Sequence, residues 1–439
     1  MEPQKSTQTS FRLINRPDGV WMPRLAKKQR TLLARDLLVA VAVVLMGAGL
    51  LNGEEKDHQP TGQQIQFQQL SEQATKSRLA GDLTKALELY HQALKLNPRW
   101  DEGWWYVGTI DYDSNNYREG VQAFKNLVEL DPDYGQAWVL LGLCEFEIHD
   151  YKNAFIHLER GRLKGVGNNK ELANAARYHE ALIDILLRNF DEAKSLLSYL
   201  VTQNILTNDV KEAMGLALLH VPLLPGQVDP SKDALIYAAG EIGELEALEN
   251  FDEADRAFQK LVQNYPQVPF VHFAYGSMLA DLSRYPQAEQ ELKEEIKINP
   301  GSSLPYLQLA YIYIRLSRFK DALPLAEQGV KLAPDSFVAH YLAGRSLLGL
   351  SDTIRSVQEL EIAKRLAPYS PQVRYSLAMA LARAKRPREA AAEQAEFRRL
   401  QALVAKAEST TGPTSYRMTT PEGGLKVPEK ISSEGPPRQ

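Results

Sequence analysis

Cysteine is almost missing: Cys144 stands alone in 439 residues, which excludes an intrachain disulfide and any cysteine-rich metal cluster. A chain without disulfides tolerates either redox state, so this scarcity leaves the compartment open. Long apolar runs are scarce as well. With 44% hydrophobic and 24% charged residues the composition excludes a polytopic membrane protein, although one run, Leu37–Leu51, stands out. A global basic field is also missing, since the formal net charge is −4, and no nucleic-acid partner is expected. Catalytic signatures are absent too: there is no HExxH, CxxC, G-x-S-x-G or Walker A pattern. Gly161, Gly165 and Gly167 follow a helical pattern with no GK[ST] after them, and read as a loop. The eight histidines are scattered, with no cysteine or carboxylate cluster beside His149 or His157. Cys144, next to Leu143, reads as a small buried hydrophobe. The carboxylate runs Glu244–Glu246–Glu249 and Glu289–Glu291–Glu294–Glu295 read as solvated helix faces. No enzyme, cofactor or metal site is expected.

What is present begins with a charge asymmetry. Residues 1–35 carry Lys5, Arg12, Arg16, Arg24, Lys27, Lys28, Arg30 and Arg35 against Glu2 and Asp18, so the remainder of the chain is the acidic part. The uncharged run Leu37–Leu51 follows, and then Glu54, Glu55 and Asp57. A comfortable bilayer span takes about 20 residues, so the run sits between a signal-peptide core and a full span. Basic residues ahead of it keep the N-terminus cytoplasmic. Residues 1–35 are therefore expected to form a basic cytoplasmic segment and 36–53 a signal anchor or transmembrane helix. The bulk of the chain then lies outside the cytoplasm, in the periplasm if the source is bacterial. Secretion after signal cleavage, with Met22 as an alternative start, and a buried core helix are the competing readings. Residues 54–66 read as a polar linker. The five prolines among 408–439 mark 407–439 as a disordered tail.

Between these flanks one period dominates. Pro98 and Pro132 are 34 residues apart, as are Pro266, Pro300, Pro334 and Pro368 in succession. Twelve residues before each proline lies a small residue: Ala86, Gly120, Ala254, Ala288, Ala322 or Ser356. Eight before it comes a larger one, Tyr90, Phe124, Phe258, Leu292 or Leu360, with Ala326 the exception. Trp104-x-x-Val-Gly108, Trp138-x-x-Leu-Gly142 and His340-x-x-Ala-Gly344 recur near the start of the unit. His272 and His340 take the place of Trp104 and Trp138, which makes them packing residues.

These motifs resemble the tetratricopeptide repeat, W-x₂-L-G-x₂-Y, then A-x₃-F, then P at the same period. The resemblance covers about 67–404, with units beginning near Phe67, Asp101, Gly135, Asn174, Leu235, Pro269, Ser303, Phe337 and Pro371. It implies an all-α fold, an α-solenoid in which helix-turn-helix hairpins stack into a right-handed superhelix, preceded by the N-terminal hydrophobic helix. Small residues (Gly108, Gly142, Gly276, Ala310, Gly344) let paired helices approach, proline ends the second helix, and Asn97, Asp131 and Asn299 favour the turn by local bonds to the backbone. The middle departs from the pattern. Asn208–His220 reads as an extra helix, and the proline-rich 221–230 as a kink. It would separate a first block of about four units plus that helix, 67–220, from a second of about five, 231–406.

In the family, first helices line a concave groove that holds a partner segment. The matching positions here are Trp105, Tyr112, Asp113, Phe146, Tyr178, Phe273, Tyr311, Arg315, Tyr341, Arg345, Tyr375 and Arg383. Tyr, Trp and Arg supply much of the binding energy of interfaces, and packing between first helices is the competing role for the aromatics. The carboxylate clamp of chaperone-binding members is missing, since Ser71 and Thr75 occupy its first positions. The expectation is a non-catalytic, exported or membrane-anchored scaffold for protein or peptide partners, in envelope complex assembly or secretion. The alternative is a small-molecule or glycan receptor, or a regulatory subunit of an enzyme.

Overall fold

The computed structural model describes residues 61–411. The basic segment 1–35, the run 36–53, most of the linker and the tail beyond Thr411 lie outside the described residues. Nineteen α-helices and one 3-10 turn make up the described residues, with no strand among them. None of these helices is long and apolar enough to cross a membrane. The helices fall into two compact units, one ending at Ile183 and one starting at Asp184.

The first unit contains α1 (Gly62–Ala80), α2 (Leu83–Leu96), α3 (Asp101–Asp113), α4 (Tyr117–Leu130), α5 (Gly135–Glu147) and α6 (Tyr151–Lys164); α7 (Lys170–Leu186) runs into the division. Its first helix starts inside the stretch 54–66 read as linker. Thr61 accepts a hydrogen bond from the Gln64 N–H, and the Gln64 side chain accepts one from the Thr61 N–H at 2.7 Å, a reciprocal cap that starts a helix from polar residues. Each hairpin then reverses through one left-handed residue, Gly81, Asn115 or His149. Only glycine takes that conformation without steric cost.

Close approach within a hairpin rests on a pair of positions. A methyl on Gly108 would lie 2.7 Å from the Phe124 ring, and one on Gly142 2.7 Å from Leu158 Cγ. The second unit repeats this, with Gly276 against Leu292 and Gly344 against Leu360. Where the first position grows to Ala310, the second shrinks to Ala326, and both are fully buried. The exception in the sequence pattern is therefore a volume exchange. Asn97 and Asp131 accept the N–H groups of Arg99 and Asp133, as expected; the Asn299 amide instead donates to Glu295.

The second unit contains α8 (Phe190–Thr202), α9 (Asn208–Leu218), a 3-10 turn (Pro230–Lys232), and α10 (Asp233–Ala247) with α11 (Phe251–Asn264). Then come α12 (Val271–Asp281), α13 (Tyr285–Ile298), α14 (Leu304–Arg315), α15 (Phe319–Leu332), α16 (Phe337–Gly349), α17 (Thr353–Leu366), α18 (Pro371–Arg383) and α19 (Pro387–Thr411). The proline stretch 221–230 joins two helices of this one unit, and the division falls earlier. The reason is backbone contact: a methyl on Gly215 would strike the Ile236 carbonyl, and one on Gly240 the Lys211 carbonyl. Two glycines thus let α9 and α10 touch main chain to main chain, and the prolines serve as the loop between them.

Candidate partner-binding surface

The residue six places after a unit's terminal proline opens its next first helix and reaches back to that proline. Trp104 and Trp138 donate their indole N–H to the carbonyls of Pro98 and Pro132 at 2.8 and 2.9 Å. In the second unit His272 Nε2 faces the Pro266 carbonyl at 3.2 Å, and His340 Nε2 that of Pro334 at 2.9 Å. Tyr306 and Arg374 donate to Pro300 and Pro368 in the same way. Four side-chain chemistries thus satisfy one recurring turn carbonyl. The histidines do more than pack, because Nδ1 of His272 lies 2.6 Å from Glu291 and that of His340 2.7 Å from Glu359. The His272 ring, with acceptors on both nitrogens, is held best when doubly protonated, and the Glu291 hydrogen bond raises its pKa.

This clasp fixes the first helices, on which the twelve candidate residues lie. In the first unit Trp105 is half-buried and stacks on Tyr134, ring centroids 5.1 Å apart, and Asp113 is half-buried at the end of α3. Tyr112, Phe146 and Tyr178 are core residues instead. Phe146 meets Tyr151 and His179 edge-on, and Tyr178 meets His179. Burial drives the Tyr112 phenol well above its ordinary pKa. Neighbours on several sides explain the burial, and α5 hides eleven of its thirteen residues.

In the second unit Phe273 is likewise buried, edge-on to His220 at 5.4 Å. The other six candidates reach the surface. Tyr311, Tyr341 and Arg345 are half-buried, and Arg315, Tyr375 and Arg383 exposed. Contacts run along α14, α16 and α18 among them, except that Tyr375 lies against Phe397 of α19, ring centroids 5.2 Å apart. Arg315 lies beside the Tyr285 and Tyr311 phenols, and Tyr311 lies near Tyr341. Arg345 Nη1 donates to the Tyr341 hydroxyl at 3.3 Å, and Arg383 Nη1 to the Leu348 carbonyl, near the end of α16, at 2.9 Å. Burial raises the Tyr311 phenol, which therefore stays neutral.

One cluster escaped sequence reasoning. Phe270, before α12, has φ of +70°, an outlier for a bulky residue. Its N–H donates to Glu295 Oε1 at 2.8 Å, the Phe273 N–H donates to Oε2, and its ring stacks on His220 at 4.7 Å. Burial lowers His220 to about 3, so the imidazole is neutral. The same cluster corrects the reading of the carboxylate runs as solvated. Glu295 is fully buried, Glu244 is buried and pairs with Lys211 at 3.0 Å, and Glu289 holds Tyr313, Lys293 and Arg318. Nothing in the sequence marks Phe270 as strained; Pro269 before it is an ordinary turn residue. Cys144 is buried, which drives its thiol well above the usual range. No group of metal-ligating residues occurs among the described residues.

Comparison with known proteins agrees with this architecture. A tetratricopeptide repeat family model matches residues 108–163, 244–303 and 307–371. Tetratricopeptide repeat protein 33 of Mus musculus is 30% identical over 98 residues, 22% of this chain and 37% of that protein. Anaphase-promoting complex subunit 3 of Schizosaccharomyces pombe is 25% identical over 151 residues, 34% of this chain and 22% of that protein. The chain thus spans well under half the length of either relative. Among solved structures, MamA from residue 41 onward of Desulfovibrio magneticus RS-1 is 20% identical, covering 37% of this chain and 93% of that one, with a TM-score of 0.36.

Proposed function

Because this chain belongs to the tetratricopeptide repeat family, we propose that it is a non-catalytic scaffold whose first helices hold segments of partner proteins. The observation that carries this reading is the row on α14, α16 and α18. Tyrosines and arginines, the side chains that dominate binding energy in interfaces, lie there on successive first helices, half-buried or exposed. One relative is by its name a subunit of a multiprotein complex, in keeping with such a role. The scaffold is anchored through residues 36–53, with 1–35 in the cytoplasm and the repeats beyond the membrane, where envelope assembly or secretion takes place. Basic residues before the run and acidic ones after it support that orientation.

The test is photocrosslinking in native membranes, with a photoreactive residue in place of Tyr341 and, as control, of Gln358, exposed on the second helix α17. Defined protein adducts at Tyr341 and none at Gln358 are expected. Equal labelling at both, or adducts with glycan alone, overturns the scaffold reading. Mass determination of the mature N-terminus separates an anchored chain from a cleaved one.

A further inference from the structure

Charge is segregated among the first helices of the second unit. Helices α10 and α12 carry Asp233, Glu241, Glu244, Glu246 and Asp281 and no lysine or arginine. Helices α14, α16 and α18 carry Arg315, Arg345, Arg374 and Arg383 and no carboxylate. The change occurs at one unit position, where Asp281 is followed 34 residues later by Arg315.

The arginines also differ in what holds them. Arg284, Arg318, Arg355, Arg374 and Arg386 each hold a carboxylate, at distances from 2.5 to 3.4 Å. Arg345 and Arg383 are hydrogen-bonded to neutral oxygens, a phenol and a main-chain carbonyl, and Arg315 lies beside the Tyr285 phenol with no carboxylate on it. Arg365, Arg388 and Arg398, on second helices, lack a carboxylate too, but no hydrogen bond among the described residues fixes them. A guanidinium bonded to a neutral oxygen is oriented yet keeps its whole charge and most of its five donors. Favourable placement at a helix C-terminus accounts for a lone arginine such as Arg315. It does not account for three successive first helices without a carboxylate, or for Arg345, which lies in the turn before the end of α16.

We propose that Arg315, Arg345 and Arg383 form an anion-binding row for an acidic segment of a partner protein, whose carboxylates the three guanidinium forks receive while Tyr311, Tyr341 and Tyr375 pack against the atoms between them. Charge complementarity selects this occupant, since a basic or neutral segment leaves three oriented charges unanswered. The proposal rests on the scaffold reading above and narrows it to one class of partner.

The test uses the full-length chain in a neutral detergent and a fluorescein-labelled dodecapeptide of alternating Glu and Ala, read by fluorescence anisotropy. The Glu-Ala peptide is expected to bind, more weakly as salt rises from about 50 to about 300 mM, while the Gln-Ala peptide does not. Replacing Arg315, Arg345 or Arg383 by Gln weakens binding about fivefold each, and the triple replacement more than about thirtyfold. Arg365→Gln changes it less than about twofold. The triple Arg→Lys variant keeps the charge but not the fork and retains part of the affinity, and an unchanged thermal midpoint shows that the variants fold.

Equal binding of the Gln-Ala peptide, or a triple Gln variant that binds like the parent, overturns the proposal. So does equally tight binding of a single-stranded oligonucleotide with the same arginine dependence. Self-association abolished by the triple Gln variant overturns it too, because a second copy then occupies the row. If Tyr341 crosslinks a protein while the peptide fails, only the acidic class falls; if both fail, the scaffold reading falls with it.

Discussion

From Val271 to Leu400 the second unit repeats one hairpin recipe at intervals of 34 residues, whereas between Asn208 and Phe270 it departs from the recipe on either side of the hairpin whose Ala254, Phe258 and Pro266 still follow it, and still buries its helices. In the regular stretch a glycine meets a side chain, as Gly344 meets Leu360, and a side chain from the next unit clasps the turn carbonyl. In the irregular stretch a glycine meets main chain, and a buried carboxylate holds a strained turn. The regular contact has a flexible partner that can yield. The irregular one has none, so the irregular stretch is less tolerant of change.

The sharpest way to break this comparison is a methyl group. Gly240→Ala is expected to cost about 3–5 kcal/mol, because the Lys211 carbonyl cannot move without displacing α9. Gly344→Ala places its methyl 2.6 Å from Leu360 Cγ and is expected to cost about 1–3 kcal/mol. Urea unfolding of both variants decides, and equal losses end the distinction. Next in size, Phe270→Gly removes backbone strain but also the ring stacked on His220. A net loss of about 1–2 kcal/mol is expected, whereas a gain in thermal midpoint would show that strain outweighs the stack.

The histidine clasp sharpens the regular side by its pH dependence. His272 has its pKa raised from 6.5, so its contribution is complete below about pH 6.5 and fades as pH rises through the raised value. About 1 kcal/mol should vanish across that window. His272→Gln should flatten this part of the stability–pH curve, and an unchanged curve contradicts a protonated clasp. The smallest effect belongs to the hairpin turns, where Ser317 has φ of +56°. Ser317→Gly should raise stability by up to about 1 kcal/mol, measured by thermal unfolding. A loss would mean that the chain entropy restored to the unfolded state exceeds the strain removed.

Legibility followed the range of the interactions. The hairpins were readable because proline, small residue and large residue recur on one helix face, and each contact of that kind lies within a single unit. Even the exception, Ala326, was visible as a pattern before its partner Ala310 explained it. The candidate surface was half readable. Arg315, Tyr341, Tyr375 and Arg383 reach solvent, but Tyr112, Phe146, Tyr178 and Phe273 do not, although their positions in the unit are equivalent in kind. A first helix has neighbours on more than one side, and which side an aromatic ring takes depends on the residues facing it.

The same boundary separates the rest. Periodicity and residue size by themselves determined the helices, their hairpin turns and the stops at Pro98, Pro132, Pro300, Pro334 and Pro368, since those follow from steric rules over a few residues. Only tertiary structure decided that Glu295 is buried beneath Phe270, that Gly215 and Gly240 bring α9 and α10 into main-chain contact, and that Arg383 is held by the Leu348 carbonyl. Each of these depends on groups distant in sequence, and burial and charge pairing are properties of the assembled surroundings of a side chain.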